Sequence, residues 1–131
     1  MARILLVEDD ALVRKGAHRV LLRAGHEVWE SANPKTALHM LECVTVDMVI
    51  TDIYMPGMSG VELIRQMELR GDRPRVIAMT GGGVTRTTAE LLSEARCMGA
   101  ERTLEKPFGP AELLAVVDDV LSRDVAVAVA V

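Results

Sequence analysis

Four stretches of the chain each close an apolar run with a group able to do chemistry. "ILLVEDD" ends in Glu8, Asp9 and Asp10, and "DMVITD" ends in Asp52. "RVIAMT" ends in Thr80, and "RTLEK" ends in Glu105 and Lys106. Clustered carboxylates repel one another unless a cation lies among them. Oxygen donors suit a hard ion, and Mg²⁺ needs only one or two carboxylates supplemented by water, a carbonyl or a phosphate. A carboxylate beside such an ion can attack phosphorus and become an acyl phosphate. A lysine and a hydroxyl would then stabilise the phosphoryl oxygens. Asp52 holds the nucleophile's position, because it is a lone acid closing an otherwise apolar strand. Taken singly, the other groups have plain structural uses. Glu8, Asp9 and Asp10 can serve as helix-start acids, Thr80 as a strand-end residue and Lys106 as a surface charge. Their arrival at successive strand ends gives them joint meaning.

The elements that must position these groups follow a regular punctuation. Continuous apolar runs at 3–7, 47–51 and 75–80 read as strands buried on both faces, with weaker strands at 26–30, nearer an edge, and 101–105. Helical periodicity runs from Ala11 to Ala24, with Gly25 behind it. Asn33-Pro34 is a cap followed by proline in the first turn and opens a helix to about Cys43. Ser59 with Glu62, and Thr87 with Glu90, have capping-box spacing and open helices to about Arg70 and Met98. Gly109-Pro110, with Glu112 after it, opens a last helix to about Arg123. Alternating strands and helices with short connections predict an α/β protein, a parallel sheet with helices on both faces. In such a sheet the binding crevice lies at the carboxyl ends of the strands, where the acids, the threonine and the lysine fall.

Composition narrows the alternatives. The 131 residues are 50% apolar but only 2% aromatic, so aliphatic side chains and methionine must fill the core. Fifteen basic residues against 19 acidic ones give a net charge of -4. That balance argues against bulk binding to nucleic acid or to an anionic membrane. No apolar run approaches the length of a membrane span, and "MARILLVEDD" is not a signal peptide, so the expected location is cytoplasmic. Cys43 and Cys97 are expected to be reduced thiols in or near the core, and His18, His26 and His39 to lie on the surface. Residues 1–123 form one expected domain, and the alternating Val/Ala tail at 124–131 is expected to be disordered.

The four stretches, in this order and at these spacings, resemble the receiver domain of two-component response regulators. The matching pieces are "ILLVEDD", "DMVITDIYMPGMSG", "VIAMTG" and "LEKPF". The resemblance implies a flavodoxin-like, doubly wound five-stranded sheet in the order 2-1-3-4-5. It implies that Asp52 accepts a phosphoryl group from a sensor histidine kinase or a histidine phosphotransfer protein. Asp9, Asp52 and the backbone carbonyl of Tyr54 would ligate Mg²⁺, with Glu8 acting through water. Thr80 and Lys106 would contact the phosphoryl group, and the Lys106–Pro107 peptide would be cis. The domain is then a switch acting through protein contacts, a monomer or weak dimer through its 88–123 face. It catalyses its own phosphorylation and dephosphorylation rather than being a conventional enzyme. A phosphorelay intermediate, a phosphate sink or a receiver fragment of a larger regulator are the alternatives.

Three departures stand out within that resemblance. Glu8 stands where aspartate is commoner, Thr103 stands where many relatives carry an aromatic switch residue, and the 81–88 loop is long and glycine-rich. Tyr54 should shield an acyl phosphate from water while Gly81 should open a path to it. A hydrolase of the haloacid dehalogenase type would want a second acid at Tyr54. A phosphate-independent binding module would be expected to lose Asp52, Thr80 or Lys106.

Overall fold

The computed structural model describes residues 1–53, 59–71, 74–81 and 99–130, with the backbone alone beyond Arg123. Its elements run β1 (Arg3–Val7), α1 (Ala11–Arg23), β2 (Glu27–Ser31), α2 (Pro34–Cys43), β3 (Met48–Asp52), α3 (Gly60–Leu69), β4 (Arg75–Thr80), β5 (Arg102–Glu105) and α4 (Pro110–Ala130). The strands form one five-stranded sheet in the order β2-β1-β3-β4-β5, every neighbouring pair parallel. This is the expected doubly wound sheet, with β2 at one edge. The expected helix at 87–98, the 82–88 part of the glycine-rich loop, Tyr54 and Cys97 lie outside the described residues.

The continuous apolar runs have a simple cause. Successive strand residues point to opposite faces, and both faces are covered. Leu5, Val7, Val49 and Ala78 pack with Ala37, Leu63, Ile64 and Met67 from α2 and α3. Ile4, Leu6, Met48, Ile50, Ile77 and Met79 pack on the other face with Ala17, Leu21, Val117 and Val120 from α1 and α4. All of β3 is buried.

Local chemistry fixes where helices begin. The Asp10 carboxylate accepts from the Leu12 and Val13 amides at 2.9 and 3.3 Å, capping α1. Asn33 accepts from Thr36 N–H at 2.8 Å ahead of Pro34, and Ser59 accepts from Glu62 N–H at 3.2 Å. Gly25 ends α1 at φ +95°, a left-handed turn that glycine makes without a Cβ penalty. Gly60 has a different reason to be glycine. The first turn of α3 returns against the end of β3, and a Cβ there would lie 2.1 Å from the Asp52 carbonyl oxygen.

Several expectations need correction. β2 runs Glu27–Ser31, one residue later than the 26–30 reading. Cys43 is exposed rather than in or near the core. The apolar stripe of α2 passes through Ala37, Met40, Leu41 and Val44, and position 43 falls beside it. His26 is buried, not on the surface. Its ring turns under the start of the chain, and Nδ1 accepts from Ala2 N–H at 3.0 Å. His18 is half-buried, and His39 is exposed as expected. The last helix continues past Arg123 to Ala130, into the tail set apart as disordered, because no glycine or proline stops it.

Two outcomes follow. Gly60→Ala should cost about 3 kcal/mol or more in a denaturant titration, because the clash is with backbone that cannot step aside. For His26, burial, and next the nearby N-terminal ammonium, lower the pKa from its ordinary 6.5, against the raising effect of Asp118. A depressed folded-state pKa means that its stabilising contribution is complete above pH 6.5 and is lost as pH falls below it. His26→Asn keeps an acceptor for Ala2 N–H without a titrating ring. Melting curves from pH 7.5 to 5 should show the variant losing less stability than wild type on acidification.

Candidate functional site

The site lies at the carboxyl edge of β1, β3, β4 and β5. Asp52 ends β3, the central strand, and is only 4% exposed. Its Oδ2 accepts from Lys106 Nζ at 2.8 Å. Glu8 follows β1 and is wholly buried. Its Oε1 meets the Lys106 ammonium as an ion pair. Its Oε2 accepts from Asp10 N–H at 3.1 Å. One ammonium therefore bridges two buried carboxylates at the ends of two strands.

Asp9 is exposed at the mouth, and one carboxylate oxygen from each of Glu8, Asp9 and Asp52 lies within 4.8 Å of the others. Thr80 ends β4 and is buried, and its carbonyl accepts from Lys106 N–H at 2.7 Å. This backbone bond ties the threonine and the lysine into one edge. The Lys106–Pro107 peptide is cis, as the resemblance implied. Gly81 lies beside the lysine, where a Cβ would be 4.0 Å from the Lys106 side chain.

Electrostatics separate the two buried charged groups. Burial pushes the Glu8 carboxyl up from 4.5 to about 7. The Lys106 and Asp10 contacts oppose that rise, and the charge of Asp52 and the proximity of Asp9 add to it. Burial alone would pull the Lys106 ammonium down, but hydrogen bonds and charge from Asp52 and Glu8 outweigh it and hold its pKa above 10.5. An all-carboxylate donor set, with one oxygen from each of Glu8, Asp9 and Asp52 within 4.8 Å of the others, fits a hard divalent cation of the Mg²⁺ kind.

The sequence-derived residues Glu8, Asp9, Asp52 and Lys106 are thus brought together, and Thr80 stands on the adjacent strand end. Asp10 is a helix cap and Glu105 is exposed, so neither is drawn into the cluster. Sequence reasoning missed the direct pairing of Glu8 with Lys106, since it gave Glu8 only a water-mediated part. It also missed Arg14, whose Nη1 donates to the Glu8 carbonyl at 2.7 Å. The signal available for Arg14 was its place one turn into the helix that follows the acids.

Fold and site together define a flavodoxin-like α/β protein with an acidic centre at the carboxyl edge of its sheet. A family model described as the response regulator receiver domain matches residues 4–118, and the chain belongs to that family. It is 34% identical over 118 residues to the transcriptional regulatory protein FixJ of Azorhizobium caulinodans, covering 90% of this chain and 54% of that protein. It is 30% identical over 106 residues to sporulation initiation phosphotransferase F of Bacillus subtilis, covering 81% of this chain and 82% of that protein. The structure of the Vibrio cholerae chemotaxis protein CheY4 is similar at a TM-score of 0.83 and 30% identity, covering 92% of this chain and 98% of that one. The chain spans about half the length of curated relatives such as FixJ.

A carboxyl raised by burial stabilises the fold only where it is protonated. The cost of holding Glu8 ionised is absent below pH 4.5, grows towards about pH 7 and is complete above it. In metal-free buffer Glu8→Gln should therefore be more stable than wild type at pH 8 by on the order of 2 kcal/mol. The difference should close by pH 5, as read from denaturant midpoints at the two pH values.

Proposed function

We propose that this chain is a phosphorylation-dependent signalling switch in which Asp52 is the phosphoacceptor. The observation that carries the reading is the strand-end Asp52 carboxylate, buried and bonded to Lys106 within reach of the Glu8 and Asp9 oxygens. Asp9, Asp52 and the backbone carbonyl of Tyr54 are the proposed Mg²⁺ ligands. Glu8 completes the acidic wall, acting through water. The ion supplies charge neutralisation for the phosphoryl oxygens and for the attacking carboxylate.

The chain's own residues do the rest. An Asp52 oxygen attacks the phosphorus of a phosphohistidine on a kinase or phosphotransfer protein. The new O–P bond forms as the N–P bond breaks, and the released imidazole takes up a proton. Lys106 shifts its ammonium from the carboxylate onto a phosphoryl oxygen, and the Thr80 hydroxyl donates to another. The near-complete burial of Asp52 limits water's access to the acyl phosphate. Receiver domains are signalling switches rather than conventional enzymes, and we assign this one a cytoplasmic place beside its kinase. Among the described residues no helix is long and apolar enough to cross a membrane.

A second reading, an intermediate that passes the group onward in a relay, is favoured by one observation. The match to the Bacillus subtilis phosphotransferase covers most of both chains.

Incubation with MgCl₂ and acetyl phosphate, read by intact mass, should add one phosphoryl group to wild type and none to Asp52→Asn. Labelling of both proteins, or of neither where a control receiver labels, would overturn the assignment.

A further inference from the structure

The acidic pair Glu8–Asp9 belongs to no helix or strand, so something must hold it in place. Each polar group of the Glu8 main chain has one partner. Its N–H donates to the Ser31 carbonyl at 3.0 Å, and its carbonyl accepts from Arg14 Nη1 at 2.7 Å. That carbonyl belongs to the peptide joining Glu8 to Asp9, so its direction sets where the Asp9 carboxylate points.

Arg14 is itself held. Its Nε donates to Glu30 Oε1 at 3.0 Å, and the other oxygen of Glu30 meets His18 Nδ1 at 2.5 Å. The Arg14 and Glu30 side chains are 16% and 25% exposed, so this is a shielded contact rather than a solvated surface pair. A simple tie between α1 and β2 would need only the Arg14–Glu30 bond. The guanidinium goes further and reaches the main chain of the acidic loop.

Resting on the reading of the acidic cluster as a Mg²⁺ site, we propose that Arg14, braced by Glu30, is a positioning residue that sets the site's affinity for the ion. Three carboxylates crowded together repel. The easiest relief is rotation of the Glu8–Asp9 peptide, carrying Asp9 outward. Arg14 blocks that rotation and keeps the oxygens gathered before the cation arrives, so less of the binding energy goes into ordering them.

The test is an amide-shift NMR titration of the ¹⁵N-labelled full chain with MgCl₂, run well below the melting temperature. Wild type, Arg14→Gln, Arg14→Lys, Glu30→Gln and Arg3→Gln are compared. Arg3, on β1, pairs with Glu27 at the far end of β2 and is the control for a plain structural tie to that strand. Arg14→Gln should raise the Kd for Mg²⁺ by about 3- to 10-fold. Arg14→Lys should recover part of the loss, Glu30→Gln should lose less than Arg14→Gln, and Arg3→Gln should stay within about twofold of wild type. If Arg14→Gln does not fold, weaker binding in Arg14→Lys and Glu30→Gln than in Arg3→Gln decides the same question. Equal affinities across the set, or equal weakening in Arg3→Gln, would overturn the proposal while leaving the metal site intact. Absence of Mg²⁺-dependent shifts in wild type would overturn the metal reading and this inference with it.

Discussion

Lys106 stands between two carboxylates that the fold has taken out of water, and the carboxyl edge of the sheet is organised around that arrangement. A buried carboxylate without a partner is costly enough that it would neutralise instead. Two of them, Glu8 at 0% and Asp52 at 4% exposure, share one ammonium here, which offsets part of that cost although burial still raises the Glu8 carboxyl to about 7. The lysine in turn keeps its proton because burial, which would strip it, is outweighed by those same two acids. The three groups stand at the ends of three strands, so the parallel sheet and the ion cluster depend on each other.

The sheet supplies the precision that this arrangement needs. β3 runs through the middle with both faces covered, so Asp52 has little freedom to move. Lys106 is set by the bond from its amide to the Thr80 carbonyl, which continues the ladder between β4 and β5 by one residue. Glu8 is set by the hydrogen bond from its N–H to the Ser31 carbonyl, which continues the ladder between β1 and β2 in the same way. The reactive groups sit one step beyond regular pairing or at its last position, close enough to inherit the rigidity of the strands. α3 then closes against the Asp52 carbonyl, a contact that only glycine permits at position 60.

Most of this architecture was legible because its causes are local or periodic. Runs such as "ILLV" and "MVIT" declare strands covered on both faces, and Asn33-Pro34 and Ser59 declare helix starts. The site was legible as a set of strand-end residues, because in a parallel sheet all the strand ends lie on one edge. Contacts between side chains distant in sequence were not. Nothing in the spacing of Glu8 and Lys106 says that they touch, and nothing around His26 says that its ring lies beneath Ala2. Helix phase misled for Cys43, where a one-position offset from the apolar stripe places a thiol in solvent. Missing stop signals misled at the carboxyl end, where an expected boundary at Arg123 is only a point on a continuing helix.

Glu8 in place of the commoner aspartate has a geometric meaning. The additional methylene lets one oxygen reach Lys106 while the other accepts from Asp10 N–H, so a single side chain links the lysine to the start of α1. With all three acids ionised, the pocket holds three negative charges against the one positive charge of Lys106. The remaining deficit of two is the charge of the cation proposed to occupy it. Pairing Glu8 with the lysine lowers the repulsion without removing that deficit, since the ammonium is shared and Asp9 faces outward. The acids can thus be held close together in a folded, metal-free chain and still favour a divalent ion. Arg14 serves the same end from behind, by fixing the peptide that joins the buried acid to the exposed one.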